Sequence, residues 1–265
     1  MSPEAVLAYA ELHLRTDDGE PILAAEHQLL WVTLLCDTRI PKLLVIAPPE
    51  AAKTTWIVSA YLGCRVGFYP QQSVVMGSAA GDIAEKRSLS LRSMVESSEW
   101  RQTFPGVEPV RANRAMKWST TEWSLAPNGR PTLGRLHPTI AAYGTGGSII
   151  GSRADEVVGD DLHDFENSRT QHQRGLLLDW VHRSFLSRRK SRVGRAVVIG
   201  TAWYPGDVYD NLRNAGDWVV CHVPLLSQGA DVRATLSYPD WFPDEWCLGE
   251  PVSPYAADLA ARASA

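Results

Sequence analysis

The sequence predicts an α/β fold: a mainly parallel β-sheet flanked by helices and preceded by N-terminal helices. Two observations carry this. Short runs rich in β-branched residues alternate with longer stretches of helical spacing, the pattern of parallel strands joined by crossover helices. One of these runs, "KLLVIA", passes through a short loop straight into a helix that begins with Lys-Thr, "APPEAAKTTW".

The elements follow in order. Ser2, Pro3 and Glu4 make a strong helix start, and "EAVLAYAELHL" keeps helical spacing up to the turn "TDDGEP". A second helix is expected over "ILAAEHQLLWVTLLC", with Ile22, Leu23, Leu30, Trp31, Leu34 and Leu35 on its buried side. The chain then alternates: "KLLVIA", "SVVMGSA", "TIAAYG", "DEVVGD", "RAVVIG" and "WVVCHV" read as strands, with "GDIAEKRSLSLRSMVES" and "TQHQRGLLLDWVHRSFL" as helices between some of them. From residue 227 onward, Pro, Trp and small residues dominate and no further strand–helix unit is legible. Residues 1–226 are therefore expected to form one domain, and 227–265 a linker or tail.

Composition narrows the class. With 265 residues and 45% apolar content, the chain can bury a substantial core. Lys and Arg total 26 against 30 Asp and Glu, so the net charge of −4 gives no ground for a nucleic-acid partner; a local basic patch would be needed. Cys36, Cys64, Cys221 and Cys247 are scattered without metal-ligand spacing, which favours reduced thiols over a disulfide frame. There is no signal-peptide pattern and no apolar run near the roughly 18 residues of a membrane span, so the chain reads as soluble and intracellular.

The loop after the first strand matches the phosphate-binding pattern G-x-x-x-x-G-K-[ST] except that Ala47 and Ala52 replace both glycines ahead of Lys53 and Thr54. Such a loop wraps phosphates in backbone N–H groups; its lysine, taken as an exposed loop charge, reaches the outer phosphates and its hydroxyl binds Mg²⁺. Alanine tolerates φ > 0 poorly, so the loop must use other torsions or accept strain of roughly 1 kcal/mol per position. The competing reading is a surface Lys-Thr at a helix start. A working site needs a carboxylate at the end of another strand, and "ADEVVGDDLHD" supplies Asp160 and Asp161: one acid to hold Mg²⁺, the next to polarise the attacking water. The alternative is a solvated acidic turn. A third run, "RAVVIGTAWYPGDVYDNL", places Thr201 just past a strand, where a hydroxyl can face a terminal phosphate or simply cap a turn.

These three segments in order, "APPEAAKTT", "GSRADEVVGDDLHD" and "GTAWYPGDVYDNL", resemble the ATPase domain of the large terminase subunit of tailed bacteriophages. The resemblance spans roughly residues 26–226. It implies a P-loop NTPase fold, ATP and Mg²⁺ as cofactors, and a motor that drives double-stranded DNA into the prohead. Implied too are work with a portal protein and a small terminase subunit, a homo-oligomeric ring, and action in the host bacterial cytoplasm with no membrane partner. Residue by residue, it implies that Pro49, Glu50, Ala51, Ala52, Lys53, Thr54 and Thr55 form the nucleotide-binding loop, with Thr54 and Asp160 at the metal. It implies Asp161 as the catalytic acid, Thr201 as the residue coupling hydrolysis to movement, and Gln28 as an adenine contact, although Gln28 reads equally as a polar helix-surface residue.

There are departures. Glu50 stands where relatives carry an arginine, an unfavourable neighbour for triphosphate unless it points away, and Ala202 replaces the arginine after the coupling threonine. An arginine from a neighbouring subunit then becomes more necessary, and Arg153 is the candidate, its alternative being a loop-capping surface charge. The run "HRSFLSRRKSRVGR" gathers Arg183, Arg188, Arg189, Lys190, Arg192 and Arg195, either for DNA phosphates or as a solvated helix end. No set of acids for a second, nuclease domain is legible. Two rivals stand beside the motor: a metal-dependent nuclease built on Asp160, Asp161, His163 and Asp164, and a non-catalytic assembly module with a relic loop.

Overall fold

The computed structural model describes residues 1–111, 116–149, 151–224 and 235–240. Helix α1 (Pro3–His13) starts where Ser2 caps it, its hydroxyl accepting from the Ala5 N–H. Helix α2 (Glu26–Cys36) is shorter than the spacing suggested. Residues 22–25 run extended because the segment before them folds back: Arg15 bridges Pro21, and the Ile22 N–H bonds the Leu14 carbonyl. Leu23 is consequently 73% exposed and is no part of the buried side, whereas Leu30, Trp31, Leu34 and Leu35 are buried.

Strand β1 (Lys42–Ile46) leads through the loop into α3, which is π-wound over Thr55–Leu62 and α-helical over Gly63–Phe68. Then come β2 (Val74–Ser78), α4 (Gly81–Glu96), α5 (Ser98–Thr103), β3 (Val107–Pro109), β4 (Glu122–Trp123), β5 (Leu125–Pro127), β6 (Ile140–Gly144) and β7 (Glu156–Asp160). After β7 the chain forms α6 (Phe165–Ser168) and α7 (Gln171–Asp179), the latter running on as a π turn over Trp180–Phe185. It ends with β8 (Arg195–Gly200), α8 (Val208–Asn214), β9 (Val219–His222) and β10 (Thr235–Ser237).

Among the described residues eight strands form one sheet in the order β10-β9-β1-β8-β7-β2-β6-β4. Strands β9 through β6 in that order are mutually parallel, and they are the six runs read as strands from sequence. The edge strands β10 and β4 are antiparallel to their neighbours, and β3 pairs β5 in a separate ribbon. None of these four short strands was legible. β10 draws part of the segment read as tail into the sheet; apart from residues 235–240 that segment, Cys247 included, lies outside the described residues.

The continuous apolar runs of the central strands are buried on both faces, as a sheet covered by helices requires. Alternate residues feed two cores. Leu43, Val45, Val158, Val197 and Ile199 face Trp31, Ile57 and Leu91 of α2, α3 and α4. Leu44, Ile46, Val157, Ala196 and Val198 face Leu177, Phe185, Val208 and Tyr209 on the α7–α8 side. Cys36, Cys64 and Cys221 are free thiols. Among the described residues no helix is long and apolar enough to cross a membrane.

Candidate functional site

Because the central strands are parallel, β1, β7 and β8 deliver their following loops to one edge of the sheet. β8 lies between the other two, so the residue after Gly200 emerges between the loop after β1 and the acids that end β7.

The loop after β1 keeps a left-handed backbone without its glycines. Ala52 has φ 57° and Glu50 φ 63°, while Ala47 has no positive φ. At position 52, then, the chain accepts strain rather than changing torsion, and at position 47 none is needed. Glu50 is exposed, its carboxylate on the solvent side. Lys53, by contrast, is not the exposed charge the motif suggests: it is 6% exposed. The loop folds over it, and Nζ donates to the Pro48 carbonyl (2.8 Å) and to Thr201 Oγ1 (2.9 Å). The amides that follow open a helix, whose first turn leaves N–H groups without intrahelical acceptors. Gln28 is not the polar helix-surface residue of the alternative reading. It is buried, its Oε1 accepting from the Ala25 N–H (2.9 Å) and its Nε2 donating to the Ala51 carbonyl (3.1 Å), so it braces the loop against α2.

Thr54 Oγ1 donates to Asp160 Oδ2 (2.9 Å), joining the loop to the end of β7. Asp160 is 1% exposed, and Arg87 of α4 meets it at Oδ2 (2.5 Å) and at its carbonyl (2.7 Å) while also reaching Ser78 Oγ (3.2 Å). Burial pushes the Asp160 carboxyl up to about 6, opposed by the Arg87 guanidinium, reinforced by Asp161, and opposed again by the Thr54 hydroxyl and Lys53. Its second oxygen, Oδ1, is buried with no hydrogen-bond partner. A hydroxyl beside a carboxylate with a free buried oxygen suits a hard cation that takes oxygen ligands, so Thr54 and Asp160 fit Mg²⁺. Asp161 follows with φ 47°. Among the described residues, three of the four non-glycine residues at positive φ, Glu50, Ala52 and Asp161, thus sit at this edge; the fourth, Asn128, is in a turn.

Arg87 was missed. It lies three residues after Ala84 and four before Leu91, both on the buried face of α4, and that spacing was the available signal. Arg153 is not brought to this site: it is exposed and precedes the amino end of β7, at least a strand length of roughly 13 Å from Asp160. The basic run is largely absorbed locally. Arg188 donates to the Ile149 carbonyl, Arg189 to the Gly194 carbonyl, Lys190 pairs with Asp155 and Arg195 donates to the Leu34 and Leu35 carbonyls in the last turn of α2.

The nuclease constellation does not converge. His163 accepts from the Val208 N–H at Nε2 (3.1 Å), so its proton lies on Nδ1, facing Ser168 Oγ (2.9 Å). Asp164 caps α6 by accepting from the Asn167 N–H (2.7 Å). Among the described residues no three His, Cys, Asp or Glu side chains gather as a metal-binding group.

Sheet order, loop and acid strand together define an α/β domain of P-loop NTPase-like fold. Comparison with known proteins then narrows the kind. No family model matches the chain. In sequence it is 21% identical over 172 residues to the "Terminase, large subunit" of Enterobacteria phage T3, an alignment covering 65% of this chain and 28% of that protein. In structure it is similar to the large terminase of bacteriophage HK97, with TM-score 0.50, 17% identity, and coverage of 87% of this chain and 46% of that one. The chain spans less than half the length of either. The resemblance read from three motifs is therefore met by a sequence relative and a solved fold, both of them phage large terminases.

Proposed function

We propose that the chain is the ATP-hydrolysing motor part of a viral DNA-packaging terminase, coupling Mg-ATP hydrolysis to movement of double-stranded DNA into a prohead inside the infected host cell. The observation that carries this is the meeting of Lys53, the Thr54–Asp160 pair, Asp161 and Thr201 at one sheet edge. In this reading Lys53 exchanges its bonds to Pro48 and Thr201 for phosphate oxygens, and Thr201 registers the exchange. Thr54 and Asp160 would hold Mg²⁺, which when bound would supply positive charge to offset that of the phosphates. Asp161 orients the attacking water. The retained left-handed torsion at Ala52 supports a working loop over a relic.

Arg153, remote from its own site and exposed, is proposed to act only on a neighbour's nucleotide in a homo-oligomeric ring. DNA, a portal protein and a small terminase subunit are the proposed partners, with Arg183 and Arg192 the basic side chains best placed for DNA phosphates. The test is Lys53→Met, followed by nucleotide binding, hydrolysis and melting together. Hydrolysis is expected to vanish while the chain stays folded with a lowered Tm, since a buried side chain with two hydrogen bonds is lost. Unchanged turnover would remove the loop from the mechanism.

A further inference from the structure

We propose that Tyr209 is a positioning residue for Asp161: by accepting the Leu162 N–H, its phenol oxygen holds the left-handed turn that presents the Asp161 carboxylate. This rests on the reading of Asp161 as the group that orients water.

A left-handed aspartate persists only where its surroundings over-determine it. Asp161 is held on three sides. Its N–H donates to the Ile199 carbonyl (3.0 Å) and its carbonyl accepts from the Ala79 N–H (3.0 Å). Both bonds are backbone to backbone and would form with other residues in place. The third belongs to a side chain: the Leu162 N–H donates to Tyr209 Oη (3.0 Å). Leu162 and Tyr209 are both fully buried, so no water replaces that acceptor.

The neighbourhood is built around the phenol. Tyr209 lies in the first turn of α8, behind the buried N-cap Asp207, whose carboxylate accepts from the Asp210 and Trp203 N–H groups. A Cβ on Gly200 would lie 1.9 Å from Tyr209 Oη and 2.1 Å from Cζ. Gly200 has no positive φ, so the glycine that ends β8 is there to admit the ring rather than to make a turn. The bond from the Val208 N–H to His163 Nε2 ties the same two segments a second time. Tyr209 therefore sits beneath both the strand end that precedes Thr201 and the turn that carries Asp161. The two groups proposed to face the terminal phosphate are fixed to one another through it.

Tyr209→Phe removes the hydroxyl and leaves the ring in its place. Exchange of the Leu162 amide is expected to accelerate, a readout independent of catalysis. Turnover of ATP should fall about tenfold in kcat, the scale of a lost hydrogen bond to a buried amide, with KM unchanged. In an Asp161→Asn background the same substitution should cost nothing further, because Tyr209 acts only through that residue. Unaltered Leu162 exchange would overturn the tether. An equal loss with and without Asp161, or a rise in KM at constant kcat, would overturn the positioning role. Absence of turnover in the unsubstituted chain would instead count against the ATPase reading, with the exchange measurement still deciding the tether.

Discussion

Restoring each missing loop glycine separately should change stability in opposite directions. Ala52 sits at φ 57°, where an L-residue is strained by about 1–2 kcal/mol. Ala52→Gly releases that strain, and the added freedom of glycine in the unfolded chain takes back about 0.4–1 kcal/mol. The net is a stabilisation of about 0.5–1 kcal/mol, or roughly 1–4 °C in Tm for a chain of this size. Ala47 is 2% exposed and has no positive φ. Ala47→Gly relieves nothing, loses a buried methyl worth about 0.8 kcal/mol and adds the same unfolded-state freedom, for a destabilisation of about 1–2 kcal/mol. Equilibrium denaturant unfolding of both variants and of the double variant, alongside thermal melting, measures the contrast, and the double variant should fall near the sum. Equal destabilisation by the two glycines would refute the claim that position 52 stores strain and position 47 does not.

Asp161→Asn should lower kcat by about 10²-fold or more while sparing nucleotide affinity, whereas Asp160→Asn should weaken Mg²⁺-dependent binding; identical binding titrations would void this division of roles. Arg153→Ala and Lys53→Met proteins should each be inactive alone and recover part of the turnover when mixed, because an interface can join a sound site to a sound arginine. No recovery where the unsubstituted chain assembles and hydrolyses ATP would end the intersubunit role of Arg153. His163 is buried and accepts a backbone N–H, and burial holds its imidazole below the ordinary value of about 6.5. Its folded pKa being the lower one, its contribution is fully present above about pH 6.5 and is lost as pH falls toward that lower value. His163→Gln should flatten the acid limb of unfolding free energy by up to about 1.4 kcal/mol per pH unit, that is, one proton; an unchanged slope would show that His163 does not titrate on unfolding.

What the sequence determined by itself is what local chemistry can write. Six β-branched runs became the six parallel strands because strands buried on both faces need continuous apolar residues. The spacing of Lys53-Thr54, Asp160-Asp161 and Thr201 behind those strands was enough to foresee one shared edge, since parallel strands send their following loops the same way. What pairing and packing decide could not be read in advance. Strands β3, β4, β5 and β10 are held by their partners rather than by their own residues, and Leu23 looked buried only until Arg15 bridged Pro21 and took the segment out of α2. Lys53 is buried because the loop closes over it, and Gln28 is buried by its contacts with Ala25 on one side and Ala51 on the other. Arg87 reaches Asp160 across 73 residues of sequence, and Tyr209 reaches Leu162 across 47. A residue's own type and spacing announce what it can bond to; which partner arrives is settled only when distant elements pack, and at this site those arrivals set the charge on Asp160 and the torsion of Asp161.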